Sequence, residues 1–336
     1  MLSFRPLPLL GNPHVQTILG NFLSGDHRIP RITQRIVPLA DGDRISLLET
    51  QPRPSSSQAP IALLVHGLGG SHRSGYMVRL TNRLSERGWR VFRMDLRGAG
   101  DGFKLARRFY NAACSDDVAT VVDGLVKEFP LSPLVVAGFS LGGNIVLKYA
   151  GELGEHAPRN LRAIAALAPP IDLVRCSQLI ARLPLYDGYY VRNLTSQVAR
   201  HQRHFSGLPR IVFPRRTTLR QFDDLYTAPR WGYADALDYY QKASALPWLV
   251  RIGVPTFVLT ARDDPFVAVE SFEPIRGTSM VEIHITDHGG HLGYLGADGL
   301  GGIRWAESQL LHWLDGQISF ARPNNSGIIK TSQLSH

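Results

Sequence analysis

Short apolar runs alternate along most of the chain with segments of helical periodicity. Two alternating runs, residues 32–39 and 44–50, are joined by Asp41-Gly42-Asp43, and an Asp-Gly between such runs favours a β-hairpin. Continuous apolar runs, typical of buried parallel strands, then occur at residues 61–65, 89–95, from 134, 161–168, 255–260 and 281–286. Helices are expected at 75–87, at 115–129, after the strand that begins at 134, between the last two strands, and at about 302–314.

This alternation predicts an α/β fold with a doubly wound, mostly parallel sheet and an antiparallel hairpin at its start. It stops after Pro169-Pro170, and residues 173–246 are helical and loop-like, rich in Arg and aromatic residues. Such an insertion between two strands is expected to form a helical cap over the carboxyl edge of the sheet, where ligands bind in open α/β sheets. We therefore predict a core of residues 1–172 and 247–320, a cap of 173–246 and a loose tail of 321–336. Residues 1–31 are expected to form an irregular arm on the core.

Composition narrows the class of protein. The chain has 336 residues, 44% of them hydrophobic, which is enough for one large core and an insertion. The net charge of +9 comes mainly from Arg scattered along the chain, with no block of like charges, so we predict no nucleic-acid partner. Cys114 and Cys176 lie too far apart in sequence for a CxxC site.

The N-terminus lacks the apolar core of a signal peptide, and no apolar run approaches the roughly 18 residues that span a bilayer. We therefore predict a cytoplasmic protein with no transmembrane segment.

A candidate nucleophile lies in the run Gly138-Phe139-Ser140-Leu141-Gly142, between a predicted strand and a predicted helix. A sharp strand-to-helix turn leaves no room for side chains two residues either side of the serine, so glycine fits at both positions. The helix N-terminus behind Ser140 would supply free N–H groups to a developing oxyanion. The alternative is an ordinary serine in a glycine-rich turn.

A serine nucleophile needs a base, and the base needs a group that orients it. Asp263 and Asp264 follow the strand at 255–260, and His288 and His291 follow the strand at 281–286. Asp264 is the favoured acid because it lies three residues past Ala261, and Asp263 would then cap the turn. His291 is the favoured base because a Gly-Gly pair before it gives the loop freedom to reach the serine.

Two backbone N–H groups are the predicted oxyanion donors, those of Leu141 and of Leu68 in the run His66-Gly67-Leu68-Gly69-Gly70. The alternative for this second run is a tight βα turn. Asp287, His288 and His291 are close in sequence but lack Cys partners and helical spacing. We therefore predict neither a metal nor a cofactor.

Several segments together resemble the YheT-like group of α/β-hydrolases, which is related to the eukaryotic ABHD lipases and esterases. They are residues 12–17, 66–71, 97–98, 138–144, 222–229, 232–233, 238–240, 261–266 and 288–294. The resemblance implies an α/β-hydrolase fold, carboxylic-ester hydrolysis and a triad that matches Ser140, Asp264 and His291 in the family's chain order. The chain departs from the family pattern at Gly98-Ala99-Gly100-Asp101, where members often carry Gly-Cys. This difference affects the shape of a loop and not the triad. Eukaryotic members carry a membrane anchor, and no such segment is found here.

The sequence thus predicts a serine hydrolase that cleaves small-molecule carboxylic esters through an acyl-enzyme on Ser140. The aromatic residues of the insertion suggest an apolar acyl or alcohol group. Two alternatives stay open, an acyltransferase that uses the same residues and a non-catalytic binding protein on the same fold.

Overall fold

An eight-stranded sheet forms the centre of the molecule in the computed structural model, which describes residues 3–23, 31–275, 280–299 and 301–319. The strands are β1 Thr33–Pro38, β2 Arg44–Thr50, β3 Ile61–Val65, β4 Arg90–Asp95, β5 Leu134–Phe139, β6 Leu161–Leu167, β7 Thr256–Ala261 and β8 Val281–Thr286. Their spatial order is β1-β2-β4-β3-β5-β6-β7-β8. The pairs β1–β2 and β2–β4 are antiparallel and all other pairs are parallel. The predicted fold class and the predicted hairpin are confirmed.

Helices on both faces explain why strands β3 and β5 carry no polar side chain. Every residue of β3, β5 and β7 is buried. The flanking helices are α2 Gly75–Glu86, α3 Ser115–Glu128, α4 Leu141–Leu153 and α10 Trp305–Ser319. On one face Leu63 and Val136 share a core with α3 and α4. On the other face Leu64 and Val135 share a core with α2 and α10.

The segment between β6 and β7 is helical, as predicted. It contains α5 Leu173–Ala181, α6 Pro184–His204, α7 Leu219–Phe222, α8 Ala228–Trp231 and α9 Ala236–Ala243. A single stretch of π-helix, Asp223–Thr227, joins α7 to α8. The division of the chain into a core and a cap stays a prediction.

The predicted irregular arm is wrong at residues 13–22, which form helix α1, Pro13–Phe22. The Asn12 side chain accepts hydrogen bonds from the backbone N–H groups of His14 (2.9 Å) and Val15 (3.2 Å). Pro13 occupies the first helical position, where its missing N–H costs nothing. An Asn-Pro start signal was therefore present in the sequence. Residues 1–2 and 24–30 of the predicted arm lie outside the described residues.

The predicted helix between β7 and β8 is also wrong, because this connection contains only a 3₁₀-helix, Val269–Ile275. Pro274 lies inside it and cannot donate a backbone hydrogen bond to a longer α-helix. Helix α10 begins at Trp305 and extends to Ser319, later at both ends than predicted. The predicted loose tail, 321–336, lies outside the described residues.

Candidate active site

Ser140 lies at the sharp turn between β5 and α4. Its backbone has φ 50° and ψ −122°, a conformation that is strained for any residue with a side chain. A Cβ on Gly138 would overlap the carbonyl oxygen of Gly142, and a Cβ on Gly142 would overlap that of Val65. The two glycines therefore permit the turn that holds the serine at the carboxyl edge of the sheet.

A chain of two hydrogen bonds joins Ser140, His291 and Asp264. The Ser140 Oγ lies 2.7 Å from His291 Nε2, and His291 Nδ1 lies 2.9 Å from Asp264 Oδ2. Both the histidine and the aspartate are buried. With the Nδ1 proton directed at the carboxylate, Nε2 is left to accept the serine proton.

Asp264 and Asp263 point to different partners although they are adjacent. Asp264 Oδ1 accepts hydrogen bonds from the backbone N–H groups of Phe266 (2.8 Å) and Val267 (3.1 Å), which fixes the carboxylate against His291. Asp263 Oδ1 accepts from the Gly290 N–H (2.9 Å). The expectation that Asp263 caps its own turn is wrong, because this carboxylate instead binds the loop that carries His291, which we call the histidine loop.

His288 does not reach Ser140. Its Nδ1 lies 3.3 Å from Asp263 Oδ2, and its side chain is half exposed. The Arg262 Nε lies 3.1 Å from Asp287 Oδ1. Asp287, His288 and His291 thus face separate partners, and nowhere in the described ranges do three or more His, Cys, Asp or Glu side chains gather as a metal site.

Helix α1 holds the loop that carries His291, which the sequence interpretation missed. The His291 backbone N–H donates to Thr17 Oγ1 (2.9 Å), and that hydroxyl donates to the Pro13 carbonyl (2.7 Å). The buried Gln16 side chain accepts from the Leu295 N–H (2.7 Å) and donates to the Leu295 carbonyl (3.2 Å). In the sequence, residues 12–17 stand out only as part of the family resemblance.

The loop after β3 leaves one N–H group without an acceptor. Its three glycine amides are all bonded: Gly67 donates to Tyr76 Oη (3.1 Å), Gly69 to Tyr110 Oη (2.7 Å) and Gly70 to the Gly67 carbonyl (3.1 Å). Among the hydrogen bonds of the described residues, neither the Leu68 N–H nor the Leu141 N–H has an acceptor. A Cβ on Gly67 would lie 3.0 Å from the Cβ of Ser140, so this loop packs directly on the serine.

His66 anchors the same loop as a neutral imidazole. Its Nε2 accepts a hydrogen bond from the Leu96 N–H (3.1 Å), and its Nδ1 lies 2.8 Å from the Gly67 carbonyl. Burial lowers the pKa of His66, because the imidazolium would lose its hydration. A neutral ring can donate at Nδ1 and accept at Nε2 together, as both contacts require.

Two cavities meet at Ser140, His291 and Leu68. The first, of about 100 Å³, is a narrow space beneath the helices of the insertion, and mostly apolar side chains line it. They include Leu173, Ile180, Val198, Phe222, Tyr226 and Phe266. The second is a cleft of about 720 Å³, lined from α1 and the first half of α6. We refer to these as the narrow cavity and the wide cleft.

Burial shifts the pKa values of several ionisable side chains of the narrow cavity, among them Cys176 and Asp223. Burial raises the pKa of Cys176 to about 12, so this residue is present as a thiol and is a poor nucleophile. Burial raises the pKa of Asp223 to about 6, although Thr227 Oγ1 and Tyr240 Oη each donate a hydrogen bond to it at 2.6 Å.

The fold and the site place the molecule in a known class, and comparison with known proteins supports this. The chain belongs to the α/β hydrolase fold family, whose model matches residues 60–298. It is similar to YheT of Escherichia coli, with 32% identity over 93% of each chain. The human phospholipase ABHD3 is 28% identical over 83% of this chain and 70% of its own length. The predicted family is therefore confirmed.

Two solved structures share the fold. An esterase of Pyrococcus furiosus, Pf2001, superposes with a TM-score of 0.54 at 18% identity, over 93% of this chain and 99% of its own. A 2,6-dihydroxy-pseudo-oxynicotine hydrolase superposes with a TM-score of 0.58 at 18% identity, over 92% of this chain and 73% of its own. At this level of identity the likeness concerns the fold alone. None of the helices in the described part of the chain combines the length and apolarity needed to cross a bilayer.

Proposed function

We propose that this α/β hydrolase cleaves carboxylic esters, with Ser140 as nucleophile, His291 as general base and Asp264 as the residue that orients the histidine. The observation that carries the proposal is the hydrogen-bonded chain from Ser140 through His291 to Asp264, at 2.7 Å and 2.9 Å. Relatives named phospholipase and monoacylglycerol lipase support ester hydrolysis, because both names describe carboxylic ester hydrolases.

The reaction proceeds through an acyl-enzyme. His291 Nε2 takes the Ser140 hydroxyl proton as Oγ attacks the ester carbonyl carbon, and the carbonyl oxygen becomes an oxyanion. Collapse of this intermediate breaks the bond to the alcohol oxygen, which receives the proton from His291. Water then attacks the acyl-enzyme while His291 takes its proton, and return of that proton to Ser140 releases the carboxylic acid.

The N–H groups of Leu68 and Leu141 are the proposed oxyanion donors. Both lack an acceptor among the described residues, and both residues line the narrow cavity beside Ser140. Leu141 is also the first residue of α4, where the partial positive charge of the helix N-terminus favours an anion. Two such donors stabilise the charge that appears in the transition state more than the neutral carbonyl of the substrate.

The two cavities suggest how a small-molecule ester is held. The narrow cavity suits an unbranched apolar group, because apolar side chains such as Leu173 and Phe222 line it. The wide cleft suits the bulkier half of the ester, and it offers the polar side chains of Asn21 and Asn193. We therefore propose an apolar acyl chain in the narrow cavity and the alcohol in the wide cleft.

A panel of p-nitrophenyl esters of rising chain length tests this function. The wild-type protein should hydrolyse them, and Ser140→Ala should lower kcat roughly 10⁶-fold if Ser140 acts as in other serine hydrolases. Product analysis with an added alcohol acceptor distinguishes hydrolysis from acyl transfer, because a transferase forms a new ester. Equal turnover by the wild type and Ser140→Ala would refute the proposal.

A further inference from the structure

The rim of the wide cleft exposes large apolar side chains to solvent. Leu185 is 89% exposed, Tyr189 51% and Ile18 45%, and all three line the cleft that leads to Ser140. Single exposed apolar residues are common on protein surfaces, but a group of them around one opening indicates a surface that meets a partner.

Two helices that touch at one point contribute the exposed apolar residues of this rim. Ile18 lies on α1, one turn after His14, and Leu185 and Tyr189 lie one turn apart on α6. The two helices meet where His14 Nδ1 lies 3.1 Å from Tyr186 Oη, with the two rings stacked. This contact joins the two parts of the rim.

Positive charge borders the apolar rim. Arg182 lies three residues before Leu185 and Arg192 three residues after Tyr189, and both are exposed. Neither forms an ion pair with any residue that the structure describes. Residues 173–246 hold eleven Lys and Arg against five Asp and Glu, so this segment has a net charge of +6, which is two thirds of the chain's +9.

We propose that this rim is a docking surface for a membrane that contains anionic lipids. Apolar side chains at the centre enter the boundary between headgroups and acyl chains, and the flanking arginines contact the lipid phosphates. The phosphates of a nucleic acid would also pair with the arginines, but a nucleic acid would leave the Leu185 side chain exposed to water. Docking would place the mouth of the cleft against the lipid, so that an apolar ester enters without crossing water. This consequence rests on the proposed function, whereas docking itself does not.

Vesicle co-sedimentation of the full chain tests the proposal without any catalytic readout. We expect binding to vesicles of equal parts phosphatidylcholine and phosphatidylglycerol, and weak binding to phosphatidylcholine alone. Leu185→Ser should lower the partition coefficient about ten-fold, because it removes most of an inserted apolar side chain. Arg182→Gln and Arg192→Gln should each lower it about five-fold, and added salt should weaken the wild type.

Matched controls separate docking from general effects of hydrophobicity and charge. Val212 is also 89% exposed but lines neither cavity, and Arg159 is exposed just before β6, at the opposite edge of the sheet. Val212→Ser and Arg159→Gln should bind the mixed vesicles as the wild type does, with circular dichroism showing that all variants fold. The proposal is overturned by absent binding to mixed vesicles, by equal losses in the controls, or by RNA that binds this surface while vesicles do not.

Discussion

Single hydrogen bonds decide which of two neighbouring side chains serves the site. Asp263 and Asp264 both follow the C-terminal end of β7. Asp264 nevertheless lies against His291, while Asp263 accepts a hydrogen bond from the Gly290 N–H. The backbone N–H groups of Phe266 and Val267 make this difference, because they bind the other oxygen of Asp264. Spacing in the sequence favoured Asp264, but only the structure gives Asp263 its partner.

Replacing the two aspartates separately tests this distinction. Asp264→Asn should lower kcat about 10⁴-fold, because an amide can hold the histidine in the wrong tautomer. Asp263→Asn keeps an oxygen that can accept from the Gly290 N–H, so its activity should stay within about ten-fold of the wild type. Steady-state hydrolysis of one p-nitrophenyl ester measures both variants. Equal losses would contradict the assignment of Asp264.

At the scale of elements, α1 links the start of the chain to the histidine loop. Its start signal, Asn12-Pro13, is visible in the sequence, but the mixture of Pro, Gly and apolar residues around it favoured an irregular arm. The bond from His291 N–H to Thr17 Oγ1 joins residues far apart in sequence, so no local pattern could predict it.

Substitutions of Thr17 test the role of α1. Thr17→Val removes the acceptor of the His291 N–H, and a buried unpaired N–H costs about 1–3 kcal/mol, so the loop should shift. We expect kcat to fall roughly ten-fold or more with a smaller change in KM, because misplacing a catalytic group slows the chemical step. Thr17→Ser keeps the hydroxyl and should restore most of kcat. A serine variant as impaired as the valine variant would argue against this hydrogen bond.

We expect Asp223, in the π-helical stretch Asp223–Thr227, to make stability depend on pH. Burial raises the pKa of Asp223 from its ordinary 3.8 to about 6, so the folded state binds this proton more tightly than the unfolded state. The resulting stabilisation is complete below about pH 4 and is lost as the pH rises through about 6. Asp223→Asn has no such proton, so its unfolding free energy should lack this loss.

Urea unfolding at pH 4 and pH 7 measures the effect as a difference between the wild type and Asp223→Asn. The wild type should lose on the order of 2 kcal/mol more than the variant between these pH values. Asp224→Asn is the control, because Asp224 is adjacent and exposed. Identical pH dependence in the wild type and Asp223→Asn would contradict the shift.

At the scale of the whole molecule, the parallel sheet and its opening hairpin were predictable from the sequence, because burial on both faces gives strands such as β3 and β5 continuous apolar runs. The contacts that could not be predicted are those between segments far apart in sequence. Arg97 forms a bidentate pair with Asp117 on α3 (2.7 Å and 2.8 Å) and also binds Asp43 (3.1 Å) in the hairpin turn. The cytoplasmic location and the lack of a nucleic-acid partner stay predictions.

Removing Arg97 should therefore destabilise the whole fold. Arg97→Met leaves the buried carboxylates of Asp43 and Asp117 without their partner, and breaking a buried pair in this way costs about 3–5 kcal/mol. Arg73→Met breaks a solvent-exposed pair with Asp101 and should cost less than about 1 kcal/mol. Thermal or urea unfolding compares the two. A loss in Arg97→Met no larger than in Arg73→Met would show that the cluster adds no stability.

The central claim is that Ser140 is the nucleophile, and labelling with a fluorophosphonate tests it most directly. Peptide mass spectrometry of the labelled wild type should place the adduct on Ser140, and Ser140→Ala should give none. Ser177 also lines the narrow cavity and provides an internal comparison. An adduct on Ser177, equal labelling of Ser140→Ala, or no labelling of the wild type would contradict the account.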